Sequence, residues 1–440
     1  MKLNSIFIKN YRCFDEVSFA LGEHLTLFVG KNGAGKSTIL DAIAIAISTF
    51  LCGIEGGVSR NIQKEDAKYH FYEMEGIVDS QHQFPVTISV NGNCNGKNGI
   101  EWKRSLNSVG GKTTVKDAHQ LTDIAEHMQT LVMMGDTKVI LPILSYYGTG
   151  RLYAQKKEKR DLKTLQKFNR QVGYVDCMAA ESNEKMMLNW FEKMTLKSLQ
   201  NQQKSGMNEK ILQLKMVETV ICKCFESISG AKHSEISFDL DTHRIMIEYV
   251  DSDGEKFKFA LNEMSDGYKN TLSMMGDIAY RMVVLNPQLG ERVLEETPGI
   301  ILIDEIDLHL HPEWQQTILD DLLTIFPNVQ FMVTSHAPAV INSVKKENIR
   351  ILDGGHVYMP AEQTYGRDAN SILREVMQVR ERPEQVQQLL TSFYHAIDAG
   401  ETEKAELLLE QIEELIGDAD PEVNGARVTL DFEKMRGELE

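Results

Sequence analysis

One nine-residue stretch limits what this chain can become. Gly30-Lys31-Asn32-Gly33-Ala34-Gly35-Lys36-Ser37-Thr38 fits the spacing G-x-x-x-x-G-K-[ST]. An apolar run at 25–29 (LTLFV) precedes it, and an alanine-rich apolar run at 37–51 with helical character follows. A strand that turns through glycines into a helix offers successive backbone N–H groups, and the positive end of the helix dipole, to an anion. In that geometry Gly30, Asn32, Gly33, Gly35, Lys36, Ser37 and Thr38 form a cradle for phosphates. Lys36 acts as a point charge on the β- and γ-phosphates, and Ser37 gives an oxygen to Mg²⁺. The chain must therefore build an α/β layer around this turn.

A second run, Gly299-Ile300-Ile301-Leu302-Ile303-Asp304-Glu305, is apolar until it ends in two acids. A strand this apolar is buried on both faces, as in a parallel sheet, and such sheets bind ligands beyond the carboxyl ends of their strands. Asp304 is placed to hold Mg²⁺, and Glu305 to orient or deprotonate an attacking water. Residues 312–326 have helical spacing, with Pro312 suited to the first turn. Residues 329–333 read as the next strand, ending in Thr334-Ser335-His336. A right-handed strand–helix–strand crossover returns His336 to the sheet edge that carries Glu305. Upstream, Leu261-Asn262-Glu263-Met264-Ser265-Asp266-Gly267-Tyr268 leads into an apolar helix pattern. Ser265 is a natural N-cap and Gly267 allows close backbone approach, so this helix start is a further anion site.

The rest of the chain sets the surroundings. Residues 71–105 read as hairpins, with strands YEMEGIVDS, PVTISVNG and IEWKRSL between polar turns. From 151 to 232 Lys, Gln, Glu, Met and Leu dominate, which reads as a helical insertion. Strands resume over 236–250, and the region from 371 reads as acidic helices. The expected domains are a first lobe 1–150, the insertion 151–232, a second lobe 233–370 and a helical tail 371–440. The six cysteines (Cys13, Cys52, Cys94, Cys177, Cys222, Cys224) are scattered, as in a reducing compartment. Cys222 and Cys224 lack the further ligands a zinc site needs. No run of ~20 apolar residues or signal-type N-terminus is visible, so the expectation is a cytoplasmic protein without membrane contact. The formal net charge of −17 repels nucleic acid overall. Contact with DNA or RNA would need a local basic patch. Residues 156–170 (KKEKRDLKTLQKFNR), with seven Lys/Arg against two acids, are the candidate, and a solvated helix face is the commoner meaning of such a run.

The order of these motifs resembles the ABC-type ATPases: Walker A at 30–38, a degenerate signature at Met264-Ser265-Asp266-Gly267, Walker B followed by Glu305, and the switch histidine His336. The opening Ile8-Lys9-Asn10-Tyr11-Arg12-Cys13-Phe14, the stretch Ser335-His336-Ala337-Pro338, and the run from Asp304 through Asp307-Leu308-His309-Leu310-His311 to Pro312 resemble RecF, SMC and OLD-type heads rather than transporter subunits. The resemblance covers most of 1–370. It implies an α/β fold of the ABC ATPase head class, with a P-loop and a mixed β-sheet with flanking helices, plus the helical insertion and helical C-terminal region. It also implies ATP with Mg²⁺, and Arg12 beside the nucleotide. Ser265 and Gly267 would act on the nucleotide of a second subunit in a head-to-tail dimer, with Asp307, His309 and His311 at that interface or in the core. Met264 departs from the usual signature leucine. The Q-loop glutamine has no clear position, Gln63 being one candidate.

Within this group the chain lacks the long coiled coil of SMC proteins. Its lone D-x-D, Asp418-Ala419-Asp420, follows a helical pattern and not the apolar strand a Toprim site would need. The segments Leu144-Ser145-Tyr146-Tyr147-Gly148-Thr149-Gly150-Arg151-Leu152, Tyr365-Gly366-Arg367-Asp368-Ala369-Asn370-Ser371-Ile372-Leu373 and Arg382-Pro383 resemble the PtuA-type ATPases of Septu-type and some retron-type antiphage systems. These sit beside an HNH endonuclease, PtuB. The resemblance implies a homo-oligomeric ATPase whose nucleotide state gates a partner nuclease, since no nuclease constellation is visible in this chain. Two other readings stay open: a RecF-like DNA repair or recombination ATPase without a nuclease partner, and a regulatory module whose hydrolysis is too slow to matter.

Overall fold

The computed structural model describes residues 1–74, 77–152, 170–179, 184–205, 210–251 and 253–439. They form two compact units, Met1–Arg367 and Asp368–Glu440. In the first unit, β1 (Lys2–Tyr11) turns back into β2 (Phe14–Ala20). On its other side β1 pairs with β6 (Val86–Cys94), which pairs with β7 (Lys97–Leu106), so the order β2-β1-β6-β7 is antiparallel throughout. Its side chains broadly alternate between buried and open, as one-sided packing requires.

The central sheet behaves differently. Its strands are β3 (Leu25–Gly30), β8 (Ile143–Tyr147), β12 (Gly299–Ile303), β13 (Val329–Thr334), β14 (Ile349–Asp353) and β15 (His356–Tyr358). They run in the order β15-β14-β3-β13-β12-β8, parallel except for β15. Every residue of β3, β8, β12 and β13 is buried, which is why these runs carry no alternation. The polar exception, Gln330, is satisfied. Its Oε1 accepts from Leu3 N at 2.7 Å, and its Nε2 donates to Leu3 O at 2.8 Å and Gly22 O at 2.7 Å, tying β1 to the central sheet.

Helix α1 (Lys36–Ile47) follows the glycine turn. It ends earlier than the apolar pattern over 37–51 suggests. The Ser48 hydroxyl donates back to Ile45 O, and the chain tightens into 3₁₀ geometry through Gly53, where a side chain would strike Thr122 O. The run YEMEGIVDS is not one strand: β4 (Tyr69–Met74) and β5 (Ile77–His82) pair antiparallel within it. Alternation alone does not mark where one strand gives way to the next. Helix α2 (His119–Met133) packs on the 3₁₀ segment that ends at Gly53.

The 151–232 region is helical where described: α3 (Glu184–Ser205) and α4 (Leu212–Ser229). Residues 156–169 of the basic run lie outside the described residues. Its last cation, Arg170, is a structural group. It donates to Leu285 O at 2.6 Å, Val139 O at 2.6 Å and Asn286 Oδ1 at 3.0 Å. Strands β9 (Lys232–Asp239), β10 (Arg244–Val250) and β11 (Lys256–Ala260) make a small antiparallel sheet on α4. Then come α5 (Asp266–Leu285), the short α6 (Val293–Glu296), α7 (Pro312–Ile325) and α8 (Pro338–Ile341). Residues 36–53 have the length and apolarity of a membrane-spanning helix, yet 78% of that window is buried inside the fold.

The second unit is α9 (Ala369–Glu375), α10 (Glu384–Asp398), α11 (Thr402–Ile416) and α12 (Pro421–Leu439). Its own core includes Val386, Leu390, Phe393, Leu409, Ile412 and Leu430. Asp420 of the D-x-D is held by both Arg382 nitrogens, at 2.8 and 3.0 Å, and serves this bundle.

Candidate functional site

The glycine turn is built as its spacing demands. Gly33 and Gly35 sit at φ 82° and 101°, the left-handed region where only glycine is relaxed. A side chain on Gly35 would also meet Cys13 Sγ at 2.7 Å and the Phe14 ring at 2.8 Å. Lys36 opens α1, and its Nζ donates to Gly30 O at 2.9 Å and Lys31 O at 3.2 Å. Burial holds its ammonium below the usual lysine range, against the opposing pull of Asp304, Glu305 and Asp307. Ser37 and Thr38 share the first turn of α1, and Asn32 lies on the exposed side of the loop.

Strands β3 and β12 both flank β13, and all three are parallel, so their carboxyl ends form one edge. Asp304 is buried there at 4% exposure, and its N–H donates to Tyr147 O at 2.8 Å. Thr334 joins the two acids. Its Oγ1 donates to Asp304 Oδ1 at 2.6 Å and accepts from Glu305 N at 2.7 Å. Glu305 sits at φ 50°, a conformation that costs a non-glycine residue about 1–3 kcal/mol and persists where the surroundings fix it. His336 follows β13, and its N–H reaches Asp307 Oδ1 at 3.4 Å. Burial, then the Lys36 cation, push its imidazole below the ordinary histidine range, against Asp307 and Asp304. The ring is therefore neutral at pH 7, able to donate at one nitrogen and accept at the other. The sheet thus brings Lys36, Asp304, Glu305, Asp307 and His336 into one electrostatic group.

The other expected residues sit around this group. Arg12, at φ 48°, has its guanidinium committed to Asp66 at 2.8 Å and Asp41 at 2.6 Å. Arg60 takes the second oxygen of Asp41 at 2.9 Å and lies over the Tyr146 ring. Gln63 starts the short turn that holds Asp66, with its side chain exposed. Ser265 is the N-cap of α5 by position, but its side chain makes no capping hydrogen bond. Gly267 abuts the loop after Glu305: a side chain there would stand 2.5 Å from His309 O. His311 caps α7, its Nδ1 accepting from Glu313 N at 3.4 Å. Among the described residues no group of three or more His, Cys, Asp or Glu gathers as a metal site.

The motif reading gave no role to Thr334 or Asp41. Thr334 stands in plain view before Ser335-His336, but its bridging role depends on β12 and β13 being neighbours. The set at the sheet edge fits a magnesium nucleotide. Ser37 hydroxyl and Asp304 carboxylate are hard oxygen donors, and magnesium is held through one or two carboxylates plus substrate phosphates, without a dedicated cage of side chains.

The chain is similar to several known proteins. The retron Vc95 probable ATPase of Vibrio cholerae serotype O1 biovar El Tor is 24% identical over 431 residues, covering 87% of this chain and 80% of that protein. The retron Ec83 probable ATPase of Escherichia coli is 25% identical over 444 residues, covering 87% of this chain and 77% of that one. The Septu protein PtuA of Bacillus mycoides (strain KBAB4) matches at 36% over a shorter stretch, 21% of this chain and 12% of that protein. Among solved structures, an SMC head bound to the C-winged helix domain of ScpA aligns with a TM-score of 0.47 at 15% identity, covering 82% of this chain and 97% of that one. The family model described as AAA ATPase domain matches residues 1–341. The chain belongs to that family, AAA_15.

Proposed function

We propose that this chain hydrolyses ATP at the edge formed by β3, β12 and β13, and that it serves as the ATPase of an antiphage defence system. The observation that carries the reading is the shared edge of β3, β12 and β13, where Thr334 links Asp304 to Glu305, the His336 N–H reaches Asp307, and these three acids act on the buried Lys36 cation. In this reading the backbone of residues 30–38 cradles the triphosphate, with Gly30, Asn32, Gly33, Gly35 and Thr38 lining it. Lys36 neutralises the β- and γ-phosphates. Ser37 and Asp304 hold Mg²⁺, which supplies charge neutralisation to the transferring phosphoryl group. Glu305 orients and deprotonates the attacking water, its backbone fixed by the Thr334 hydroxyl. His336, neutral, donates to the γ-phosphate and senses its loss. Arg12 borders the nucleotide from the loop that packs on Gly35. Ser265 and Gly267 complete the site of a second, head-to-tail subunit.

Glu305→Gln tests the assignment. Nucleotide binding is expected to persist while ATP turnover falls by about a hundredfold or more. Undiminished hydrolysis by that variant would remove Glu305 from the base role.

The system-level reading rests on the names of the relatives: two are named retron probable ATPases and one the Septu protein PtuA. We infer a cytoplasmic protein whose nucleotide state regulates a partner HNH nuclease of the PtuB kind, through differential affinity of that partner for the two states. Affinity capture from the native host, with the co-purifying protein assayed for DNA cleavage, separates this from a repair ATPase of the RecF kind, which has no such companion.

A further inference from the structure

Tyr147, the last residue of β8, is bonded at both of its ends. Its backbone O accepts from Asp304 N at 2.8 Å, which carries the contact of β8 with β12 one residue past Ile303. Its hydroxyl donates to Asp277 Oδ2 at 2.7 Å, on α5. The residue is 8% exposed, so both bonds lie away from water, where hydrogen bonds are stronger. Asp277 Oδ2 also accepts from Arg281 Nε at 2.7 Å, and its Oδ1 is buried with no donor among the described residues. Tyr147 and Arg281 therefore hold this carboxylate between them.

Helix α5 meets the acidic edge at a second place. Gly267, in its first turn, lies against the loop after Glu305, where a side chain would stand 2.5 Å from His309 O. Ten residues separate Gly267 from Asp277, about 15 Å along the helix at 1.5 Å each. Two contacts that far apart fix both the position and the tilt of a helix, whereas Gly267 alone would leave it free to pivot. The tilt decides where the helix start points. Ser265 is exposed there and its side chain makes no capping hydrogen bond, so its placement follows that of the helix.

We propose that Tyr147 is a positioning residue for ATP hydrolysis that acts on the site of a second subunit. Its carbonyl takes its place from Asp304, and its hydroxyl passes that place on to Asp277, so that α5 presents Ser265 and Gly267 where another subunit's nucleotide requires them. This rests on the reading in which Ser265 and Gly267 complete a neighbour's site. Tyr147 itself touches no nucleotide. Tyr147→Phe removes the hydroxyl alone: the ring, the carbonyl bond to Asp304 and the Arg281 partner of Asp277 remain. A misplacement of about 1 Å at a reacting centre costs up to about a hundredfold in rate, and the loss of one of two tethers is expected to cost about tenfold.

Mixed dimers of the full chain separate this role from a general weakening of the fold. A Lys36→Ala chain supplies a working helix start without a working phosphate loop, and a Ser265→Arg chain supplies the reverse. Co-expressed with different tags and purified through both, the pair builds one complete site, and phosphate release is expected to recover relative to either variant alone. Tyr147→Phe added to the Lys36→Ala chain, whose α5 serves that site, should lower the recovered kcat about tenfold with KM little changed. Added to the Ser265→Arg chain, whose α5 serves no working site, it should leave the rate within about twofold. Equal loss in both placements, loss only in the second, or no loss in either overturns the proposal. Absence of recovery before Tyr147 is changed is a separate failure: it removes the two-subunit reading, and the proposal with it.

Discussion

Thr334 shows how much one hydroxyl can do in a site that motifs describe only by its acids. It holds Asp304 by donation and the Glu305 backbone by acceptance, across the boundary between two strands. Thr334→Val keeps the shape and removes both bonds. The Glu305 N–H loses its partner, at a cost of about 1–3 kcal/mol, and the left-handed turn at Glu305 loses its anchor. Turnover is expected to fall about tenfold with nucleotide affinity little changed, as measured by phosphate release and by titration with a fluorescent ATP analogue. Equal turnover in the two proteins would mean that the strained backbone is held by other contacts.

Among the elements, α5 has a buried attachment that its apolar pattern does not announce. Arg281 Nε pairs with Asp277 Oδ2 at 2.7 Å, with side chains only 4% and 14% exposed. The same carboxylate oxygen accepts from Tyr147 OH at 2.7 Å, at the end of β8. Arg281 Nη1 donates to Gly173 O and Val175 O at 2.9 and 3.0 Å. The helix that follows Ser265 is thereby fastened to β8, the strand beside β12, and to Gly173 and Val175. Arg281→Met would strand a carboxylate in the interior, an outcome that typically costs about 3–5 kcal/mol. The melting transition of this variant should fall by several degrees in calorimetry. An unchanged melting temperature would mean that water reaches Asp277.

At the scale of the whole molecule, the tail carries its own apolar centre. Phe393, Leu409, Ile412, Val423 and Leu430 are buried among themselves, and Arg382–Asp420 closes the bundle bidentately. Residues 368–440 expressed alone are expected to give a helical circular dichroism spectrum and one cooperative melt. The margin should be small, because a domain of this size buries little surface. A coil spectrum would show that these helices need the first unit in order to fold.

Periodicity and short-range chemistry were enough for much of the molecule. The glycine turn at 30–38, the apolar strands at 25–30, 299–303 and 329–334, the crossover to His336 and the helical tail all follow from local patterns, since a strand buried on both faces or a glycine at φ near 100° leaves its mark on neighbouring residues. The extent of α1 and the division of the 72–80 run between β4 and β5 did not, because alternation and helical spacing do not mark where a turn former wins. Contacts between distant stretches were out of reach of any local pattern. Thr334 on Asp304, Arg12 with Asp66 and Asp41, and Tyr147 with Asp277 join residues 29 to 130 positions apart. The first exists because β12 and β13 are neighbours in the order β3-β13-β12-β8, and the others because α1, α5 and the turn at 64–66 pack where the assembled fold puts them; that assembly is fixed by burial of the whole and not by any one segment.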